Sequence, residues 1–198
     1  MYLRYFKIKG LSVNFPLLKK GSYEYQTAFR KNYGFLLIAY SLVFTGLYYG
    51  NKNLLYFFYS IAGMMYIPSL LKPEPLIYIA HFLSLKDLLR IKFVNTLYNN
   101  FILYVPLLVI CSIVDITLFL RLLFLFGIVS MLAYASQLLK YAFDSEILSA
   151  IVFFCILLPV FIIILIDPIC FIFLIFILLL LMLRINNRLR FLFYYAEN

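Results

Sequence analysis

The 198-residue chain is short of charge: 13% of its residues are Asp, Glu, Lys or Arg, while 66% are hydrophobic. A soluble domain of this size must cover its surface with polar groups, so a single water-exposed core is excluded. Tryptophan is absent, and histidine occurs once, as His81. No glycine-rich run leads into Lys-Ser or Lys-Thr, and neither HExxH nor GxSxG is present. The residues for P-loop nucleotide hydrolysis, zinc hydrolysis and serine-hydrolase chemistry are therefore missing from this chain. Neither catalytic residues, a cofactor nor a metal site is expected, and the chain does not read as an enzyme. Cys111, Cys155 and Cys170 lie in apolar stretches without CxxC spacing, which points to packing and not to a disulfide framework or zinc.

What the chain has instead is long charge-free blocks: Asn32 to Asn51, Asn53 to Leu71, Phe93 to Val114, Leu122 to Leu139, Ile147 to Ile166 and Pro168 to Leu183. About 20 apolar residues cross a bilayer as a helix, and continuous runs, unlike alternating ones, speak against a β-barrel. The expected fold is all-α: a polytopic integral membrane protein of six transmembrane helices, at about 32–51, 53–71, 93–114, 117–139, 147–166 and 168–183. The formal net charge of +9 would point to nucleic acid in a soluble protein, but here it divides between two faces. With a cytoplasmic N-terminus, fifteen of the seventeen basic residues fall on the inner side, and only Lys52 and Arg121 fall outside. That is the positive-inside pattern, with both termini cytoplasmic and no nucleic acid required.

Residues 1–31 read as a basic, aromatic interfacial segment, with Ser22 capping a short helix in which Tyr25 and Phe29 lie one turn apart. Residues 32–198 form the membrane domain. Its outer connections, around Gly50 to Asn53, Asp115 and Asp167-Pro168, are tight turns, and Asp167 is placed to cap the sixth span. Gly46 with Gly50, and Ser60 with Gly63, offer small faces for close helix approach. Arg121, one turn into the fourth span, is expected to reach back to Asp115 or across to Asp167 as an outer-face charge pair. The only long connection is the inner loop 72–92. It opens with the stiff Lys72-Pro73-Glu74-Pro75, continues through an apolar stretch from Leu76 to Phe82, and reaches Ser84-Leu85-Lys86-Asp87, a capping box that starts the third helix.

The run from Pro75 to Phe93, PLIYIAHFLSLKDLLRIKF, resembles the coupling region of ABC-2 type transporter permeases: an apolar stretch, a short break, a charged helix start and a lysine entering the third span. The likeness covers about twenty residues as a motif and most of the chain as architecture. It implies a permease subunit that works with a separate cytoplasmic ATP-binding subunit and with a second permease subunit, identical or related. The contact residues it implies are Glu74, His81, Lys86, Asp87, Arg90 and Lys92. Nearly chargeless spans then suit an apolar or amphipathic cargo such as a lipid or peptide, in a cell inner membrane or an organellar one, with membrane lipid as the surrounding partner. The other class the sequence allows is a non-catalytic structural or assembly subunit of a larger membrane complex, organelle-encoded in view of the composition.

Overall fold

The computed structural model describes residues 18, 23–72, 74, 79, 82, 84–143 and 145–194. Among these residues there is no strand, and the regular structure is helical. Four helical stretches, Leu85–Val114, Ile116–Ala142, Glu146–Ile166 and Pro168–Leu189, are long and apolar enough to cross a membrane, which marks the chain as a membrane protein. Their outward faces carry large apolar side chains such as Ile113, Ile147, Ile166, Ile172 and Phe173, all well exposed. Faces of that extent are stable against acyl chains and not against water.

The elements are α1 (Tyr23–Tyr48), α2 (Lys52–Met64), the single turn α3 (Ile67–Leu70), α4 (Leu85–Val114), α5 (Ile116–Ala142), α6 (Glu146–Val152), a π-helical turn (Phe153–Leu157), α7 (Leu158–Ile166), a 3₁₀ turn (Pro168–Cys170) and α8 (Phe171–Tyr194). Five polar residues sit where helix starts leave backbone N–H groups without partners. Asn51 accepts from Leu54 N, Ser84 from Asp87 N, Asp115 from Thr117 N, Ser145 from Leu148 N and Asp167 from Ile169 N. The capping box at Ser84 forms in a variant way, its hydroxyl also donating to the Asp87 carboxylate at 2.9 Å.

Two local expectations change. The first span does not begin after a separate interfacial helix: α1 runs unbroken from Tyr23 to Tyr48, and Tyr25 and Phe29 are buried in it, Tyr25 stacking on Tyr66. Ser22, the expected cap, lies outside the described residues, as does most of residues 1–22. The stretch 53–71 is not one helix but two, broken at Met65 and Tyr66 ahead of Pro68, whose ring would clash with the carbonyl of Met64 if the helix ran through. Together α1, α2 and α3 form an antiparallel hairpin. A Cβ on Gly46 would stand 2.9 Å from Leu55 N, so glycine is what lets the hairpin close, and Gly50 takes a φ of 67° to turn it. On the next face, a Cβ on Gly63 would collide with the Tyr104 hydroxyl and with Val129. The small-residue faces thus serve contacts inside the chain.

The hub is α5, which packs on α2, α3, α4, α6 and α8, with every residue from Leu132 to Ala142 buried. Ala133, Ala135 and Ser136 keep its waist thin enough for neighbours on all sides. The π turn in the next helix has a cause in Pro159. That residue lacks an N–H and would press on the Cys155 carbonyl, and one extra residue in the turn, with Leu158 N–H bonded to Phe153 O, absorbs the misfit.

Candidate functional site

One end of the bundle gathers the start of α1, the loop at Glu74, the start of α4, and the end of α5. Glu24 comes from the first turn of α1, Lys92 from the third turn of α4, and Lys140 and Tyr141 from the last turn of α5. Their charged ends meet as an alternating square. Lys92 Nζ lies 3.1 Å from Glu24 Oε1 and 2.5 Å from Glu74 Oε1; Lys140 Nζ lies 2.5 and 2.7 Å from the same two oxygens. The second oxygen of Glu74 accepts from the Tyr141 hydroxyl at 2.7 Å. The four charges sum to zero, and the Lys140 side chain has no exposed surface at all. Ionised groups are tolerated at such burial only when each is paired and hydrogen-bonded, as these are. Burial alone would raise the pKa of the Glu24 carboxyl. The ammonium groups of Lys140 and Lys92 beside it outweigh that, holding it far below the usual carboxylate range.

Below the square a polar seam enters the α4–α5 interface. On α4 it follows helical spacing through Lys92, Asn95, Thr96, Asn99 and Asn100, all buried. On α5 it meets Gln137 and Ser130: Thr96 Oγ1 donates to the Lys92 carbonyl at 2.8 Å and lies 3.2 Å from Gln137 Oε1, while Asn100 Nδ2 donates to Ser130 Oγ at 3.2 Å. The Asn95 and Asn100 amide oxygens are buried without a protein partner. The seam stops at Tyr104, whose ring packs 4.4 Å from that of Tyr59 and whose hydroxyl donates to the Tyr59 carbonyl at 3.0 Å.

The same end is closed from the other side by α8. Arg184 Nε donates to the Ala142 carbonyl at 3.0 Å and Arg188 Nη1 to the Tyr141 carbonyl at 2.8 Å, so two cations satisfy the last carbonyls of α5. Ser149 adds a hydroxyl to the Leu139 carbonyl.

Of the residues expected to meet a partner, the structure splits the set. Lys86 and Arg90 are exposed and Asp87 half-buried, on the first turns of α4. Glu74 and Lys92 are turned inward, consumed by the square. His81 lies outside the described residues. At the opposite end Asp115 and Arg121 do not meet. Asp115 Oδ1 accepts from both the hydroxyl and the N–H of Thr117, at 2.8 Å each, and these bonds hold its carboxyl below the usual value. Arg121 is exposed and, among the described residues, within ion-pair distance of no carboxylate.

Sequence reasoning missed Glu24, Lys140 and Tyr141 as parts of a site, along with the asparagine seam. The recurrence of polar residues at positions 92, 95, 96 and 99 was visible in the sequence, but a search for charge-free windows passes over neutral polar side chains. Among the described residues no group of His, Cys, Asp and Glu is placed to hold a metal. The chemistry the arrangement can do is mechanical and electrostatic: it ties a loop to three helices through charges that cannot be separated cheaply. Compared with protein-family models, curated proteins and solved structures, the chain matches none.

Proposed function

We propose that the chain is the membrane subunit of an ATP-driven transporter of the ABC-2 permease kind, with its power supplied by a separate cytoplasmic ATPase. The observation that carries this reading is the bond between loop and bundle: Glu74, in the only long connection, is held by Lys92 of α4 and Lys140 of α5. A partner pressing on this loop displaces those helices along with it, which a coupling element requires. The exposed Lys86 and Arg90, with Asp87 between them, supply the docking charges, whereas Glu74 and Lys92 act as the internal anchor. On this reading α1 and the broken α2–α3 add two spans to the four long helices, both termini lie in the cytoplasm with most of the basic residues, and a second permease subunit completes the path. The cargo is apolar or amphipathic, in keeping with spans that carry little charge.

The test is mild purification of the tagged full-length chain, followed by identification of stoichiometric companions. A P-loop ATPase is expected, and the Asp87→Lys, Arg90→Glu double variant is expected to lose it about tenfold, the worth of one charge-assisted contact. Incorporation into a stable complex without an ATPase would overturn the reading in favour of an assembly subunit.

A further inference from the structure

We propose that the groove between α2, α5 and α7 seats one anionic phospholipid, with the phosphate on Arg121 and an acyl chain laid along the groove. The groove holds about 990 Å³. Its lining runs from Asn53, Arg121 and Pro168, at the Asp115 end, to Met64, Ile128 and Leu158. Along α2 that length is about 16 Å at 1.5 Å per residue. This is close to the hydrocarbon depth of one leaflet, about 15 Å.

The polar groups occur in the order in which a phospholipid would need them. At the rim Arg121 is an exposed cation with no acidic partner among the described residues, and no acidic side chain lines the groove. Roughly one and two turns further in along α2, Tyr56 and Ser60 line the wall, and their hydroxyl oxygens are buried without a hydrogen-bond partner. Ser60 is only 5% exposed and does not bond back to its own helix, so its buried hydroxyl gains a partner only by turning toward the groove that its residue lines. Two unpartnered hydroxyls at that depth, turned in this way, match the ester carbonyls of a glycerolipid. The rest of the lining is hydrocarbon, including Phe57, Phe124 and Ile162, which are exposed and have room for a chain against them. A guanidinium binds a phosphate through parallel N–H···O bonds, and the quaternary ammonium of a zwitterionic headgroup, a like charge near Arg121, weakens that contact, so an anionic headgroup is preferred.

The proposal stands on the groove and not on the transporter reading: lipid retention and ATPase companionship are read out separately, and either can fail alone. The experiment uses the full-length chain, delipidated in mild detergent and titrated with phosphatidylglycerol or phosphatidylcholine of identical chains. Bound lipid is counted by native mass spectrometry, and circular dichroism checks that each variant is folded. Wild type is expected to hold one phosphatidylglycerol per chain with a preference of roughly several-fold over phosphatidylcholine, whose phosphate is the same but whose ammonium is repelled by Arg121. Arg121→Gln abolishes the preference and Arg121→Lys keeps most of it. Ile162→Trp, which fills the groove with Arg121 untouched, lowers occupancy by both lipids several-fold. Equal binding of the two lipids by wild type, an undiminished preference in Arg121→Gln, or unchanged occupancy in Ile162→Trp would each overturn the assignment.

Discussion

Replacing Lys140 by Met removes one cation from a cluster whose charges cancel, leaving Glu24 and Glu74 to share Lys92 alone. The lost ammonium touched both carboxylates at 2.5 and 2.7 Å and had no exposed surface, so water cannot take its place without opening the helix ends. Truncating one partner of a buried ion pair costs about 3–5 kcal/mol, most of it the burden of the charge left behind. For a chain of this length that corresponds to a fall of roughly 6–20 °C in melting temperature, at about 2–4 °C per kcal/mol. Glu74→Gln leaves the opposite excess and is expected to cost a comparable amount. The double variant restores neutrality, because Glu24 and Lys92 remain 3.1 Å apart as a one-to-one pair. Its loss is therefore smaller than the sum of the two single losses by at least about 1 kcal/mol, the mark of groups acting as one network. The assay is SDS titration out of mixed micelles followed by far-ultraviolet circular dichroism, with thermal melts in the same detergent. Single variants within about 0.5 kcal/mol of wild type, or a double variant whose loss equals the sum, would refute the square.

Acid should act on the same cluster. Because the Glu24 carboxyl is held below its ordinary value of 4.5, the stability it adds is fully present above that pH and drains away as pH falls below it toward the folded value. Melts between pH 7 and pH 3 should steepen below about 4.5, and Glu24→Gln should flatten that part of the curve. Gly63→Ala drives a methyl into the Tyr104 hydroxyl and Val129 and should cost about 1–3 kcal/mol by overpacking; in a Tyr104→Phe background the same change should cost measurably less. Ser84→Ala removes the cap of α4 and should cost about 1 kcal/mol, with Ser84→Asp largely retaining it; both are read by the same SDS titration.

The helical class and the tight turns at Asn51, Asp115 and Asp167 were legible because they depend on local signals: apolar runs, cap residues and proline. The square was not legible, because its partners lie 68 and 116 residues apart along the chain and nothing local marks Glu24 as the mate of Lys92 and Lys140. Glu74 and Lys92 stood out as charged residues in a long loop, and exposure was the natural inference; their burial is set by how α1 and α5 close over them. Tyr25 and Phe29 carried the pattern of an interfacial helix, yet an amphipathic stripe turned toward acyl chains and one turned toward α3 look alike in sequence. Arg121 was recognised as out of place. Its expected partner Asp115 instead caps α5, one carboxylate oxygen accepting from both the hydroxyl and the N–H of Thr117 two residues on.

Both candidate regions lie on α5, and this bears on what each can do. Lys140 sits in its last turn and Arg121 near its start, about 28 Å apart along the axis. Between them the helix has no proline, and its final eleven residues are wholly buried. A closely packed helix without proline lacks the usual cause of a sharp kink and transmits a displacement along its axis. Residues Leu120 to Ile128 of the same helix form one wall of the groove, while the facing wall comes from α7 just beyond the π turn, the least regular hydrogen bonding in the bundle. On the proposed transporter reading, a push on the loop at Glu74 reaches α5 through Lys140, and the groove changes width where its opposite wall is softest. The anchored end is rigid because its charges cannot be parted. The grooved end is held mainly by apolar contact, its polar lining limited to Asn53, Tyr56, Ser60 and an Arg121 that meets no carboxylate among the described residues.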